Sequence, residues 1–279
     1  MDQKKIQKSI TPIGVLLILL ILAACSTPSV PPQTTQSIET AQTTLTETAG
    51  APTATLEGSP RGVEQGLCTN LYYPVRQSAT WTYKSTGGPA GEYSFTDTIT
   101  SLREDGFTLS TQIGDLTRAQ EWTCTAEGLS ALQLGGAPAA MLNSQNIQLN
   151  LDVDNATGVT FPSQINPGDQ WQQNLDVSGN VMALNEEAEA TGSVQMSFNA
   201  VGNESVTMPA GTFEALKVEV DVILNVNATF EGITLPVSFT GDYTYWFAPG
   251  VGWVKASGTG SVLGNSFTDT TELQSYNIL

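Results

Sequence analysis

The stretch that decides the fold is Lys217–Phe230, which reads KVEVDVILNVNATF. Apolar side chains occupy every second position from Val218 to Phe230, and mostly polar side chains stand between them. Successive side chains of a β-strand point to opposite faces, so a period of two over 14 residues indicates a strand with one buried face. This segment therefore predicts one long, half-buried β-strand.

The same alternation recurs on both sides of this strand. Val194–Ala200 repeats it upstream, and Tyr243–Phe247 repeats it downstream, before Pro249-Gly250 and the run Val251–Val254. Proline and glycine there are typical of a turn, so the downstream runs predict a hairpin. Further strands are predicted at 80–85, 93–102, 107–113, 118–125, 129–134 and 147–153. Residues 183–190 leave a choice between a short helix and an acidic loop. We therefore expect an all-β chain after residue 62.

The N-terminus predicts export. Three lysines precede Ile13–Ala24, a nearly all-apolar run of 12 residues. That length suits a signal-peptide core and is well short of the ~20 residues that span a bilayer. The run Leu22-Ala23-Ala24-Cys25 resembles the bacterial lipobox, which implies that residues 1–24 are a signal peptide and that Cys25 is lipidated. A plain secretory signal with a chance cysteine is the alternative. We therefore expect an extracytoplasmic protein that is anchored to a bacterial membrane through Cys25.

The segment that follows Cys25 has the composition of a tether. Residues 26–62 contain 10 Thr, 4 Ser and 5 Pro and no aromatic residue, so they cannot bury enough apolar surface to offset the entropy of ordering. Residues 25–62 are therefore predicted to be a disordered linker, and residues 63–279 a folded domain. Trp81 and Trp171 stand in similar local sequences, which suggests two related halves, 63–155 and 156–279.

The net charge of the mature chain limits the classes of partner that it can bind. Asp2 and three lysines fall in the signal region, which leaves 26 acidic and 7 basic residues and a net charge of −19 in the mature chain. Such a surface repels nucleic acid and anionic lipid headgroups. Nucleic acid is therefore excluded as a partner, and membrane attachment depends on the lipid. Charged partners should be cations or basic surfaces.

The cysteines predict one disulfide. With Cys25 lipidated, Cys68 and Cys124 remain, and thiol pairs usually close in the oxidising space that an exported protein meets. A metal site is the weaker interpretation, because two thiols without histidine rarely complete a tetrahedral ligand set.

Catalytic patterns are missing from the sequence. The chain has no histidine, which removes Ser-His-Asp and Cys-His catalysis, and it has no Ser-x-x-Lys, GxGxxG or P-loop spacing. The run Asp152–Gly158 begins like an EF-hand loop but lacks its glycine and glutamate, so it predicts a turn between strands. We predict no catalytic residue, metal or cofactor. A carboxylate-based hydrolase is retained only as a remote alternative.

Three side chains are candidates for ligand contact. Trp246 should be exposed, because its neighbours Tyr245 and Phe247 share the opposite face of their strand. Trp253 follows in the same hairpin, and Val222 lies in the middle of the long strand. Exposed tryptophans on a sheet could stack on sugars or line an apolar groove, and packing in the core is the alternative for each of them.

Three motifs carry a family resemblance: Tyr72-Tyr73-Pro74 with Trp81-Thr82-Tyr83, then Met208–Val218, then Tyr245–Lys255. They resemble an uncharacterised class of bacterial lipoproteins. The resemblance implies a strongly curved antiparallel sheet, related in shape to the half-barrels of lipoprotein-carrier proteins, and supplies no established activity. We expect a half-barrel or a sandwich in a non-enzymatic protein that binds or carries an apolar ligand. The alternative is an envelope module that is structural or interacts with protein or glycan.

Overall fold

The computed structural model describes residues 66–133, 147–183, 186–262 and 264–278. Cys25, the predicted signal peptide and the predicted linker lie outside these residues. Among the described residues, no helix has the length and apolarity needed to cross a bilayer. The strands are β1 (Thr80–Gly87), β2 (Tyr93–Arg103), β3 (Gly106–Ile113), β4 (Leu116–Cys124), β5 (Gly128–Ala131), β6 (Ile147–Gly158), β7 (Phe161–Pro162), β8 (Gln170–Ala183), β9 (Glu186–Met208), β10 (Gly211–Phe230), β11 (Ile233–Ala248), β12 (Gly252–Val262) and β13 (Asn265–Asn277).

All these strands belong to one antiparallel sheet, which curls into a half-barrel. Its order is β6-β8-β9-β10-β11-β12-β13-β1-β2-β3-β4-β5-β7. The prediction of an all-β, curved antiparallel fold is confirmed, and the long strand Lys217–Phe230 lies within β10. The first and last strands of the meander join through pairs such as Lys84 with Glu272, so the two terminal regions of the domain meet in the middle of the sheet.

Two local predictions are wrong. The helix or loop expected at 183–190 is strand from Glu186 onward, because Ala188 and Ala190 alternate with exposed glutamates and fill the buried face. The turn expected at Asp152–Gly158 is the second half of β6, which pairs with β8 as far as Gly158. In both places acidic residues are the exposed half of a strand pattern.

One end of the sheet carries an aromatic core. Tyr73 lies at its centre, with ring centroids 6.4, 5.8, 5.0 and 5.2 Å from those of Trp81, Phe107, Trp122 and Phe161. Tyr73 belongs to the segment before β1, and Cys68 in the same segment forms a disulfide with Cys124 at the end of β4. The disulfide that the cysteine count predicts is thus present, and it fixes the N-terminal segment against the aromatic core.

The other end of the sheet carries an aliphatic core, built by the far halves of the longest strands. Its buried members are Leu149, Leu151, Leu175, Val177, Val181, Ala188, Ala190, Val194, Leu224, Val226, Ala228, Val237, Phe239 and Val262. The hairpin between β10 and β11 extends past this core. Its tip, Glu231-Gly232, has positive φ angles of 47° and 83°, as a two-residue turn of type I′ requires.

The curl closes at the aromatic end through Thr160, between β6 and β7. Its backbone N–H donates to Leu129 O of β5 at 2.9 Å, and its hydroxyl accepts from Ala131 N at 3.0 Å. The same hydroxyl donates to Gln173 Oε1 of β8 at 2.7 Å, and Trp171 Nε1 donates to Thr160 O at 3.2 Å. Thr160 therefore connects strands that lie near opposite edges of the sheet.

Candidate functional site: a polar cleft on the outer face

A cleft of about 660 Å³ lies on β8, β9, β10 and β11, and we call it the outer cleft. Its lining residues are Gln170, Trp171, Gln172, Ser197, Phe198, Asn199, Glu219, Asp221, Asp242, Tyr243 and Thr244. Glu219 and Asp221 are exposed and alternate with Val218 and Val220, which are buried in the aromatic core. The cleft therefore opens on the outer face of the sheet, opposite the two cores.

Strand register aligns the polar side chains of the outer cleft in two neighbouring rows. In one row Gln172 lies opposite Ser197, which lies opposite Asp221, and Asp221 faces Asp242. The other row runs through Gln170, Asn199, Glu219 and Thr244. Side chains that face each other across strands lie about 5 Å apart, so both rows bring carboxylates, amides and hydroxyls together.

The surroundings of Asp221 in the outer cleft raise the pKa of its carboxyl. Burial among its neighbours raises the pKa of Asp221, and the charges of Asp242 and Glu219 raise this pKa further. Asn199 Nδ2 donates to Glu219 Oε2 at 3.1 Å. The ion pairs in the described residues join other groups: Lys84 with Glu92, Arg103 with Glu121 and Lys255 with Glu272. The cleft thus has an excess of negative charge and of hydrogen-bond acceptors.

The composition of the outer cleft limits what it can bind. A volume of about 660 Å³ lies within the ~300–1,000 Å³ of small-ligand sites. Amides and hydroxyls both donate and accept hydrogen bonds, whereas ionised carboxylates only accept. In the described part of the chain, no three Asp, Glu, Cys or His side chains are arranged to hold a metal ion. The geometry therefore suits an organic ligand rich in donors.

The three candidates for ligand contact lie apart from one another. Trp246 is half-buried on the outer face, where its indole N–H donates to Glu204 Oε1 and Lys255 Nζ lies 5.5 Å from the ring centroid. Trp253 is half-buried on the inner face and stacks on Tyr83 at a centroid distance of 3.9 Å. Val222 packs on the inner face against both cores. The structure does not assemble them into one site.

A small cavity of about 10 Å³ is bordered by Trp253, Tyr73, Trp81 and Asp97. Asp97 Oδ1 accepts a hydrogen bond from Thr111 Oγ1 at 2.5 Å. Burial raises the pKa of Asp97 to about 6, although the Thr111 bond opposes this shift. The cavity has room for about one water molecule and none for an organic ligand.

The carboxylates of the outer cleft were not identified from the sequence. The alternation of Lys217–Phe230 indicates only that Glu219 and Asp221 are on the polar face of a strand, and Asp242 lies just before the predicted run Tyr243–Phe247. Their grouping depends on register, because Asp221 lies directly opposite Asp242. The sequence feature that could have indicated this cleft is the number of acidic residues at outward positions of two neighbouring predicted strands.

The fold and the outer cleft define an all-β protein made of one curled antiparallel sheet, with a polar cleft on one face and packed cores on the other. The chain belongs to the DUF3108-like family, whose model matches residues 121–276. This match confirms the resemblance to an uncharacterised class, and it includes the motifs Met208–Val218 and Tyr245–Lys255. No curated protein matches the chain at a significant level.

Three solved structures are similar to this chain. An exported protein with a YmcC-like fold from Bacteroides fragilis, so described, is 16% identical, with 75% of this chain and 100% of that chain covered and a TM-score of 0.47. A protein described as a lipoprotein from Parabacteroides distasonis is 15% identical, with coverages of 75% and 99% and a TM-score of 0.41. The hypothetical lipoprotein YmcC from Escherichia coli is 12% identical, with coverages of 72% and 86% and a TM-score of 0.34.

Proposed function

We propose that this chain is a lipid-anchored extracytoplasmic protein that binds, without catalysis, a hydroxyl-rich segment of envelope glycan in its outer cleft. One contrast carries the proposal: the outer cleft measures about 660 Å³, whereas the cavity inside the aromatic core measures about 10 Å³. The larger of these two spaces therefore lies on the polar face of these strands.

The chemistry of the cleft supports a glycan. Sugar hydroxyls donate hydrogen bonds to carboxylates and both donate to and accept from amides, which are the groups that line the two rows. Asp221 and Asp242 face each other without a cation paired to either in the described residues. A ligand that donates hydrogen bonds would relieve their mutual repulsion, because each donor favours the ionised carboxylate.

Carriage of an apolar ligand remains the second candidate. It requires an open apolar groove on the inner face, and Val222 would lie on its floor. The inner face packs tightly at this place, since Val218, Val220 and Leu224 are all at most 5% exposed. This packing favours the interaction alternative over carriage.

Calorimetric titration of the mature lipoprotein in detergent, with a panel of envelope glycan fragments that includes muropeptides, tests the proposal. We expect saturable binding of at least one fragment. The double variant Asp221→Asn, Asp242→Asn should weaken it at least tenfold, since hydrogen bonds to charged groups contribute ~1.5–3 kcal/mol each. Glu214→Gln is the matched control, because Glu214 is an exposed carboxylate of the same strand outside the cleft.

Two further results would change the assignment. Binding that survives the double variant would remove the cleft as the site. If fragments are instead cleaved, and cleavage disappears with Asp221→Asn, the carboxylate hydrolase becomes the function.

Native mass spectrometry of protein taken from membranes tests the carriage of an apolar ligand. A co-purifying lipid that is lost in Val222→Glu would support this second candidate.

A further inference from the structure

A polar group of side chains interrupts the inner face between the two cores. It comprises Ser85 of β1, Tyr93 of β2, Tyr243 and Tyr245 of β11 and Asp269 of β13, and we call it the tyrosine–aspartate cluster. Ser85 and Asp269 are only 1% and 5% exposed. Three buried oxygen atoms of the cluster have no hydrogen-bond partner: Ser85 Oγ, Tyr93 OH and Asp269 Oδ1.

Strand pairing explains why these groups converge. Ser85 lies opposite Tyr93 on β2, and Asp269 lies opposite Gly87 on β1 and Gly258 on β12. Glycine on both sides leaves the Asp269 carboxylate without neighbouring side chains in its own row. The Tyr243 ring covers Gly258, where an added Cβ would come within 2.6 Å of the ring. Asp269 thus lies in a cradle that only glycine permits.

The cradle holds charge that the protein itself does not neutralise. The ion pairs of the described residues leave out Asp269. Burial raises the pKa of this carboxyl to about 6, although a hydrogen bond with Tyr243 opposes the shift, so Asp269 is ionised at neutral pH. Burial raises the pKa of Tyr93, Tyr243 and Tyr245, so their hydroxyls stay neutral. A buried carboxylate that lacks a cation or a full set of donors is unfavourable, and a bound cation would offset that cost.

We infer that the tyrosine–aspartate cluster binds the primary ammonium group of a small amine. An R–NH3⁺ group has three N–H donors, and the cluster offers three unpartnered oxygen acceptors. One carboxylate matches one positive charge, whereas Ca²⁺ takes 6–8 oxygen ligands and usually several carboxylates. Tyr93, Tyr243 and Tyr245 are half-buried residues around these buried acceptors, and aromatic rings attract ammonium ions.

The charge of the whole protein favours the same ligand. The mature chain has a net charge of −19, which raises the local concentration of small cations and speeds their association. Tyr243 borders both the cluster and the outer cleft, but the inference does not depend on the polar rows of the cleft, which lie on the opposite face of the sheet. The amine could be a free solute or the aminoethyl group of a lipid headgroup, and both present the same ammonium.

Calorimetric titration of the full mature protein with ethylammonium chloride tests the inference. We expect saturable one-to-one binding that NaCl, KCl and tetramethylammonium chloride at equal ionic strength do not reproduce, because none of them has an N–H donor. Ethanolamine and vesicles containing phosphatidylethanolamine then distinguish a free amine from a headgroup. Equal binding of Na⁺ or K⁺ would overturn the inference in favour of an inorganic cation site, and no saturable binding of any cation would remove the site.

Variants assign the binding to the cluster. Asp269→Asn should abolish it, and Tyr93→Phe, which removes one acceptor and keeps the ring, should weaken it about tenfold. Tyr276→Phe is the control, since Tyr276 is 42% exposed and outside the cluster. If Asp269→Asn does not fold, Tyr93→Phe still tests the inference, because an unchanged affinity of that variant for ethylammonium would contradict it.

Discussion

The aromatic and aliphatic cores share the strands β9, β10 and β11, yet different contacts hold them together. At the aromatic end, segments far apart in sequence meet: Asn70 Nδ2 donates to Pro162 O at 2.9 Å, and Trp81 Nε1 donates to Val251 O at 2.6 Å. At the aliphatic end, the buried residues come from strands that are neighbours in the sheet, and the hairpin tip leaves Ile233 66% exposed. The comparison indicates that long-range contacts close one end, while local hairpins build the other.

Removing one large side chain from each core should give the largest effects. Trp122→Ala takes away a ring that packs on Tyr73 and Phe107, and it should lower the free energy of unfolding by about 3–5 kcal/mol. Leu224→Ala in the aliphatic core should lower it by about 2–5 kcal/mol. Urea unfolding of both single variants and the double variant measures this. If the cores are independent, the effects should add within ~0.5 kcal/mol, and a larger coupling would break the comparison.

Loss of the disulfide should affect the aromatic end first. Replacing Cys68 and Cys124 by serine opens a loop with a sequence separation of 56, which in the chain-entropy model destabilises the protein by up to about 4 kcal/mol. Hydrogen exchange should show faster opening of β4 and β5, whereas amides of Leu224 and Val226 should exchange as before. Equal acceleration at both ends would show that the sheet opens as one unit.

The buried carboxyl of the aromatic end should make stability depend on pH. The pKa of Asp97 is raised from 3.8 to about 6, so the folded protein binds this proton more tightly than the unfolded chain. Its contribution, ~3 kcal/mol in full, is present below pH 4 and is lost as pH rises through about 6. Between pH 5 and pH 8, the wild type should lose ~1 kcal/mol more than Asp97→Asn. Parallel pH profiles of the two proteins would contradict this.

The smallest expected effect has the opposite sign and lies on the outer face. Asp242→Asn removes a like charge directly opposite Asp221, so it should stabilise the protein by about 0.5 kcal/mol. Glu214→Gln should change the free energy of unfolding by less. A gain in stability together with a loss of glycan binding is the expected signature of a functional site. Destabilisation by Asp242→Asn would show that the pair has a structural role.

Much of the fold could be predicted from alternation, but little of its assembly. The strand at Lys217–Phe230 and the hairpin around Pro249-Gly250 were evident because side-chain period and turn chemistry are local properties. The sequence did not reveal the pairing of β13 with β1 or the closure through Thr160, because both depend on contacts between residues distant in sequence. The two candidate sites likewise depend on how distant strands pair. Asp221 faces Asp242, and Asp269 lies between two glycines, only because of register.

The position of the disulfide also determines how the domain bears mechanical load. A chain anchored through Cys25, as the sequence predicts, would pull on the domain from its N-terminal side. That force enters the folded part at Cys68 and passes through the disulfide to Cys124 at the end of β4. Without the bond, the force would act first on the contacts of Asn70 and Tyr73 and then on β1, which pairs with β13 and β2. The disulfide thus keeps tension on the anchor from acting on β1, the central strand that joins the two terminal regions.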